Sequence, residues 1–176
     1  MRAESIDAYS QFVSDRRKPG EDILHHLTPE DCHRLHMILG LAGELLELYT
    51  AKTQEARCEE LGDLEYYLQG LMTSYDVSRI TKLPLTWEWD CQSRFEATLE
   101  QVLTYVKREI IYQKPAQTVV IKHALREIDR ELAEVELRYG FTRSQVWNAN
   151  MQKLRARYPQ GYTDAAANRR DDKTTA

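Results

Sequence analysis

The sequence predicts an all-α protein, an antiparallel helical bundle of about five to six helices. Glycine and proline, which most often interrupt helices, number only 7 and 5 in 176 residues. Long stretches carry apolar residues at intervals of three and four, the spacing of one helix face. No segment alternates apolar and polar residues as a strand does, and the one β-branched run, 118–121, is short and begins a predicted helix.

The first two predicted helices are bounded by proline and glycine. Residues 4–16 form the first, which ends before the Pro-Gly pair at 19–20. Residues 28–31, Thr-Pro-Glu-Asp, place a favoured N-cap, a proline at the first helical position and acids in the first turn. The second helix is therefore expected to begin there and to continue to about residue 51.

The third predicted helix runs over about residues 55–75 and carries a leucine stripe. The leucines stand three and four positions apart, so they share one face that is expected to point into the core. They are Leu61, Leu64, Leu68 and Leu71.

The second half of the chain is also predicted to be helical. Residues 82–93 contain Pro84, Trp87 and Trp89 and are interpreted as a connection. Helices are expected over 94–112, over 119–139 and from a cap at Thr142 or Ser144 to about 157. Gly140 is a suitable C-cap. Residues 163–176 are polar and are interpreted as a frayed tail.

Composition bounds the class of protein. With 42% hydrophobic and 30% charged residues, the chain suits one soluble domain, expected over residues 1–162. No apolar run reaches the roughly 20 residues of a membrane span, and no apolar signal core follows Met1, so a cytoplasmic protein without membrane contacts is expected. Three scattered cysteines build no disulfide framework. The net charge of −4 argues against a nucleic-acid binder.

Two glutamates interrupt an apolar stretch of the second predicted helix. Every residue of 38–48 is apolar or glycine except Glu44 and Glu47. These two stand three apart, so both project from one face of the helix. Gly40 and Gly43 precede them by one turn each and would let a ligand or a partner helix approach the backbone closely.

Glu60 and Asp63 repeat this spacing on the third predicted helix. If the second and third helices form an antiparallel hairpin, the two pairs of carboxylates can face each other. Two unit charges about 4 Å apart repel by about 4 kcal/mol at an effective dielectric of ~20. Either the pKa values rise or a cation lies among the carboxylates, and magnesium, or manganese, suits such oxygen ligands. A solvated acidic surface is the plain alternative.

The order and spacing of these residues resemble the MazG-like all-α nucleoside triphosphate pyrophosphohydrolases, in their compact, often phage-encoded form. The resemblance covers about residues 35–75 and 146–169. It is carried by His36-x-x-Leu39-Gly40-Leu41-x-Gly43-Glu44, Glu59-Glu60-Leu61-Gly62-Asp63, Asn150-x-x-Lys153-Leu154-x-x-Arg157-Tyr158-Pro159-x-Gly161-Tyr162 and Ala166-x-x-Arg169.

This resemblance implies magnesium-dependent hydrolysis of a (d)NTP to a monophosphate and pyrophosphate. The implied metal ligands, which would neutralise phosphate charge and activate a water, are Glu44, Glu47, Glu60 and Asp63. One of them, or Glu59, would accept the proton of that water. Family members commonly build their sites from two subunits, so a homodimer or tetramer is expected, in the host cytoplasm if the protein is phage-encoded.

The resemblance also implies which side chains contact the substrate. Lys153 is the natural phosphate contact, and Asn150, one turn earlier, is placed to hydrogen-bond sugar or base. Arg157 or Arg169 would assist at the phosphates, and Tyr158 would stack on the base. His36 would either contact the substrate or pack.

The chain departs from the compact family pattern at residues 79–121, which look inserted. Such an insertion would add a bundle layer, replace helices of a partner subunit or cover the substrate. Trp87 and Trp89 within it are expected to pack in the core or an interface.

Two other functions compete with this interpretation. Four histidines within twelve residues, His25, His26, His33 and His36, are compatible with a histidine-dependent phosphohydrolase, although no adjacent His-Asp pair completes such a site. The second competing function is a non-catalytic helical module that binds nucleotides or proteins.

Overall fold

A computed structural model describes residues 6–83 and 85–169, and these residues form eight helices and no strand. The helices are α1 (Ile6–Ser14), α2 (Gly20–Leu24), α3 (Pro29–Thr50), α4 (Gln54–Ser74), α5 (Cys91–Ile110), α6 (Thr118–Arg138), α7 (Arg143–Arg157) and α8 (Asp164–Arg169). The predicted all-α class is confirmed. No described helix combines the length and the apolar character needed to cross a membrane.

Three predicted features fall partly or wholly outside the described residues. They are the start of the first predicted helix at residues 4–5, Pro84 of the predicted connection and residues 170–176 of the predicted tail.

Side-chain caps begin two long helices at the predicted positions. The hydroxyl of Thr28 accepts from the Asp31 N–H at 3.1 Å, and the Asp31 carboxylate accepts from the Thr28 N–H at 3.0 Å. Thr142, rather than Ser144, caps α7 through a similar exchange with Gln145. Gly140 follows α6 with φ +85, a conformation that favours glycine.

The sequence did not predict the two shortest helices, α2 and α8. Each is too short to show an apolar period, which is the signal on which the predictions rest. The tail predicted from residue 163 begins instead with α8, because the Thr163 hydroxyl caps the Ala166 N–H at 3.1 Å and Ala166 is buried.

The core lies between two antiparallel helix pairs. Arg34, near the start of α3, donates to the carbonyl of Ser74 at the end of α4, which shows that these helices run in opposite directions. Arg94, near the start of α5, pairs at 2.6 Å with Glu134, near the end of α6. The four leucines of the predicted α4 stripe are fully buried, and each contributes about 1.5–3 kcal/mol.

The apparent insertion, residues 79–121, contains the whole of α5 and the first turn of α6, and the rest of α6 lies beyond it. Helix α5 packs against α3 and α6, so the insertion adds a helix to the bundle within one chain, while α6 also packs against α4 and α7. Trp87 packs against the core as expected, whereas Trp89 is 84% exposed.

A buried ionic network fixes α7 against α4 and α6. It consists of three carboxylates and two arginines, and we call it the arginine network: Glu65, Asp129, Glu136, Arg79 and Arg143. Arg143 reaches Glu65 at 3.0 Å and Asp129 at 2.9 Å. Because Glu65 follows Asp63 on α4, this contact sets the position of α7 beside the predicted carboxylates.

Candidate metal centre

Glu44, Glu47 and Glu60 meet where the C-terminal half of α3 faces the N-terminal half of α4. Each offers a carboxylate oxygen, and these three atoms all lie within 4.8 Å of one another. We call this group the acidic trio. Over residues 6–83 and 85–169 it is the one group of three or more His, Cys, Asp or Glu side chains with this spacing. The predicted hairpin therefore brings together three of the four predicted ligands.

The acidic trio opens into a cavity of about 380 Å³, which we call the acidic cavity. Its lining comes from α3, α4 and α7 and consists of Glu44, Glu47, Glu59, Glu60, Asp63, Tyr67 and Arg157. All five predicted carboxylates thus share one cavity. None of the described residues of the apparent insertion, 79–83 and 85–121, belongs to this lining.

Burial and crowding of negative charge raise the pKa of two carboxyl groups of the acidic trio. Burial, together with the charges of Asp63, Glu47 and Glu60, raises the pKa of Glu44 to about 8. Burial and the neighbouring carboxylates also raise the pKa of Glu60. The hydrogen bond between Glu44 and Glu60 favours a protonated Glu44, so at neutral pH Glu44 donates a shared proton to Glu60.

Asp63 has different partners from the acidic trio. Lys153 donates to its two carboxylate oxygens at 2.6 and 2.5 Å, and Asn150 donates to it at 3.0 Å. Lys153 also lies 3.7 Å from Glu59. Lys153 and Asn150, the predicted substrate contacts of α7, therefore both bind Asp63, the fourth predicted metal ligand.

Two glycines permit this close approach. A Cβ on Gly62 would lie 2.8 Å from the Asn150 Cβ, so only glycine lets α7 bring Asn150 against α4. A Cβ on Gly40 would lie 2.3 Å from the ring of Tyr67. The expected close approach is thus confirmed at Gly40, where a neighbouring helix uses the space, while nothing lies within 4 Å of a Cβ on Gly43.

Tyr67 lines the acidic cavity and was missed by sequence reasoning. Burial and the charges of Glu44 and Asp63 raise the pKa of its phenol, so it stays a neutral hydrogen-bond donor. A signal was present in the sequence: Tyr67 stands seven residues after Glu60 and four after Asp63, on the same face of α4.

Of the other four predicted substrate contacts, Arg157 lines the acidic cavity and the remaining three do not. Tyr158 is half-buried beside Tyr162, with ring centroids 5.4 Å apart. His36 is exposed and meets Tyr67 edge-on at 5.7 Å, which matches the packing role rather than a direct position in the lining. Arg169 ends α8 with an exposed side chain outside the acidic cavity.

The histidine alternative finds no geometric counterpart. His25, His26, His33 and His36 form no group with metal-ligand spacing in the described part of the chain. His33 instead lines a separate, largely apolar cavity beside Met37 and Trp147.

The donor set of the acidic trio fits a hard divalent cation. All three donors are carboxylate oxygens, which are the ligands that magnesium and manganese prefer. The repulsion that raises the pKa of Glu44 and Glu60 is one that a cation among these carboxylates would relieve. Glu44, Glu47 and Glu60 would therefore hold such an ion.

Comparisons with known proteins found no match: no family model, no curated protein and no solved structure is similar to this chain.

Proposed function

We propose that the protein is a magnesium-dependent nucleotide pyrophosphohydrolase that cleaves a (d)NTP to a (d)NMP and pyrophosphate. The observation that carries the proposal is the acidic trio, whose three carboxylate oxygens lie within 4.8 Å of one another. Arg157 in the same cavity and Lys153 beside it supply positive charge for a phosphate chain. Carboxylates for a cation next to cations for phosphates are what a magnesium–nucleotide complex requires.

Each side chain of the site has a role in this proposal. Magnesium bound by the acidic trio would neutralise phosphate charge and acidify a water. Lys153 and Arg157 bind the phosphate oxygens and orient the chain. Glu59 lines the cavity outside the trio, and the proposal assigns it the proton of the attacking water. The water oxygen bonds to the α-phosphorus, and the bridging oxygen leaves with pyrophosphate.

The test measures pyrophosphate release from a panel of dNTPs and NTPs, with magnesium and with a chelator. We expect release only with magnesium, and we expect Glu47→Gln to reduce it more than ~100-fold, since even indirect metal partners cost 10–100-fold. Glu100→Gln, a matched change on the exposed side of α5, should leave the rate unchanged.

Two results would reject the proposal. One is release that persists in Glu47→Gln at the rate of the unmodified protein. The other is thermal stabilisation by nucleotides without turnover of any of them, which would favour a non-catalytic nucleotide-binding module.

A further inference from the structure

A second cavity, of about 630 Å³, adjoins the acidic cavity between the start of α4 and α7. We call it the Phe141 cavity. It is lined by Gln54, Glu55, Cys58, Glu59, Phe141, Ala149, Asn150, Gln152, Lys153 and Ala156. Its volume falls within the ~300–1,000 Å³ of small-molecule sites, and it combines apolar walls with a few polar groups, as such sites do.

The Phe141 cavity and the acidic cavity share one lining residue and are linked by one ion pair. Glu59 lines both cavities. Lys153 lines the Phe141 cavity and donates to Asp63, which lines the acidic cavity. A phosphate chain that contacts Lys153 would therefore have one end at the acidic trio and its other end directed into the Phe141 cavity.

We propose that the Phe141 cavity binds the nucleoside part of the triphosphate. This inference rests on the proposed function and adds the place and chemistry of substrate recognition. The half-buried Phe141 ring offers an aromatic surface to a base, and Cys58 and Ala149 leave room beside it. The amide of Gln152, and the amide oxygen of Asn150, whose nitrogen donates to Asp63, supply donors and acceptors that read base edges or ribose hydroxyls.

A third cavity, on the other side of α7, is a poorer candidate for the nucleoside. It measures about 450 Å³ and is lined by Trp147, Met151 and Leu154 of α7, together with residues of α3 and α4. Its charged lining residue, Glu65, is held by Arg79 and Arg143 and accepts from Trp147 at 2.8 Å, and no Lys or Arg lines this cavity among the described residues. Among the described residues, it has no lining residue in common with the acidic cavity.

The experiment narrows each cavity with a tryptophan and compares a ligand that has a nucleoside with one that has only phosphates. Ala156→Trp narrows the Phe141 cavity, and Met151→Trp is the matched change in the third cavity on the same helix. Affinity is measured with magnesium by calorimetry for an α,β-methylene dNTP, which the enzyme cannot cleave, and for inorganic tripolyphosphate. We expect Ala156→Trp to weaken the dNTP analogue at least tenfold and to change tripolyphosphate affinity less than twofold. Met151→Trp should alter neither.

The outcomes separate this inference from the proposed function. If the unmodified protein neither binds nor cleaves nucleotides with magnesium, both fail. If it cleaves them and Ala156→Trp binds the analogue as tightly as before, or Met151→Trp weakens binding, only the nucleoside assignment fails. Sedimentation of Ala156→Trp tests whether a second copy of the chain occupies the cavity instead. A change of oligomeric state with unchanged affinity for the analogue would assign the cavity to that copy and overturn the inference.

Discussion

Two clusters of three carboxylates each include one residue of α4, Glu60 in the acidic trio and Glu65 in the arginine network, and their charges are relieved in different ways. In the arginine network, Glu65, Asp129 and Glu136 are each at most 3% exposed and lie beside two arginines. In the acidic trio, Glu44 and Glu60 are only half-buried, Glu47 is exposed, and the relief comes from a shared proton.

The difference teaches how to separate a structural acidic cluster from a candidate binding site. Two permanently charged arginines compensate for Glu65 and Asp129 in the arginine network, and burial beside Glu65 raises the pKa of Glu136 so that it holds a proton, so the network has no need of a cation. In the acidic trio, whose carboxylates are more exposed, the proton leaves readily when a divalent ion competes for the same oxygens. The geometry agrees with this distinction, since carboxylate oxygens within 4.8 Å of one another occur in the trio and, among the described residues, not in the network.

The largest expected effect is on the arginine network. Arg143→Leu removes one of the two guanidinium groups of the arginine network and leaves Arg79 alone among its buried carboxylates, so we expect a loss of about 3–5 kcal/mol in the free energy of unfolding. The measurement is urea denaturation of the metal-free protein. Arg130→Leu, which removes two ion pairs at a side chain 42% exposed, should cost no more than about 1 kcal/mol.

Equal losses from these two variants would contradict the comparison. They would mean that the arginine network is no more important to the fold than a surface ion pair.

A smaller effect concerns the protonation of the arginine network. Burial and the charge of Glu65 raise the pKa of Glu136 to about 9. The folded state therefore binds more protons than the unfolded state between pH 4.5 and 9, and this group's contribution to stability falls as pH rises through that window. Glu136→Gln mimics the protonated form, so it should gain about 1–3 kcal/mol over the unmodified protein at pH 9 and little at pH 5.

Urea denaturation at a series of pH values checks this expectation. Because the other titrating groups are present in both proteins, the difference between the two curves isolates Glu136. Parallel curves would show that Glu136 is ionised in the fold.

The sequence predicted the elements that carry a strong local signal. The leucine stripe of α4, the Thr28 cap and the glycine after α6 each follow from spacing or from backbone chemistry within a few residues. Spacing also predicted that Glu44 and Glu47 could face Glu60 and Asp63 if the two helices formed a hairpin, and three of these four carboxylates meet in the acidic trio.

What the sequence did not predict depends on contacts between distant segments. The pairing of Lys153 with Asp63 joins residues 90 positions apart. The arginine network joins α4, α6, α7 and the segment after α4, and none of its members stood out by spacing. Tyr67 was missed because a tyrosine on an amphipathic helix usually only packs.

The smallest effect concerns the acidic trio itself. Burial raises the pKa of Glu44 to about 8, so the folded metal-free protein binds more protons than the unfolded chain between pH 4.5 and 8, and this group's contribution to stability falls as pH rises through that window. Glu44→Gln cannot ionise, so we expect it to stabilise the metal-free protein by ~0.5–1 kcal/mol above pH 8. Magnesium should raise the melting temperature of the unmodified protein, since it binds only the folded state, and should have little effect on Glu44→Gln. Thermal denaturation with a chelator measures the stability gained by Glu44→Gln, and the same experiment with magnesium measures the rise in melting temperature. Glu100→Gln is the control in both. A melting temperature that magnesium raises equally in all three proteins would place the cation elsewhere, and the contrast between the two clusters would then have no bearing on metal binding.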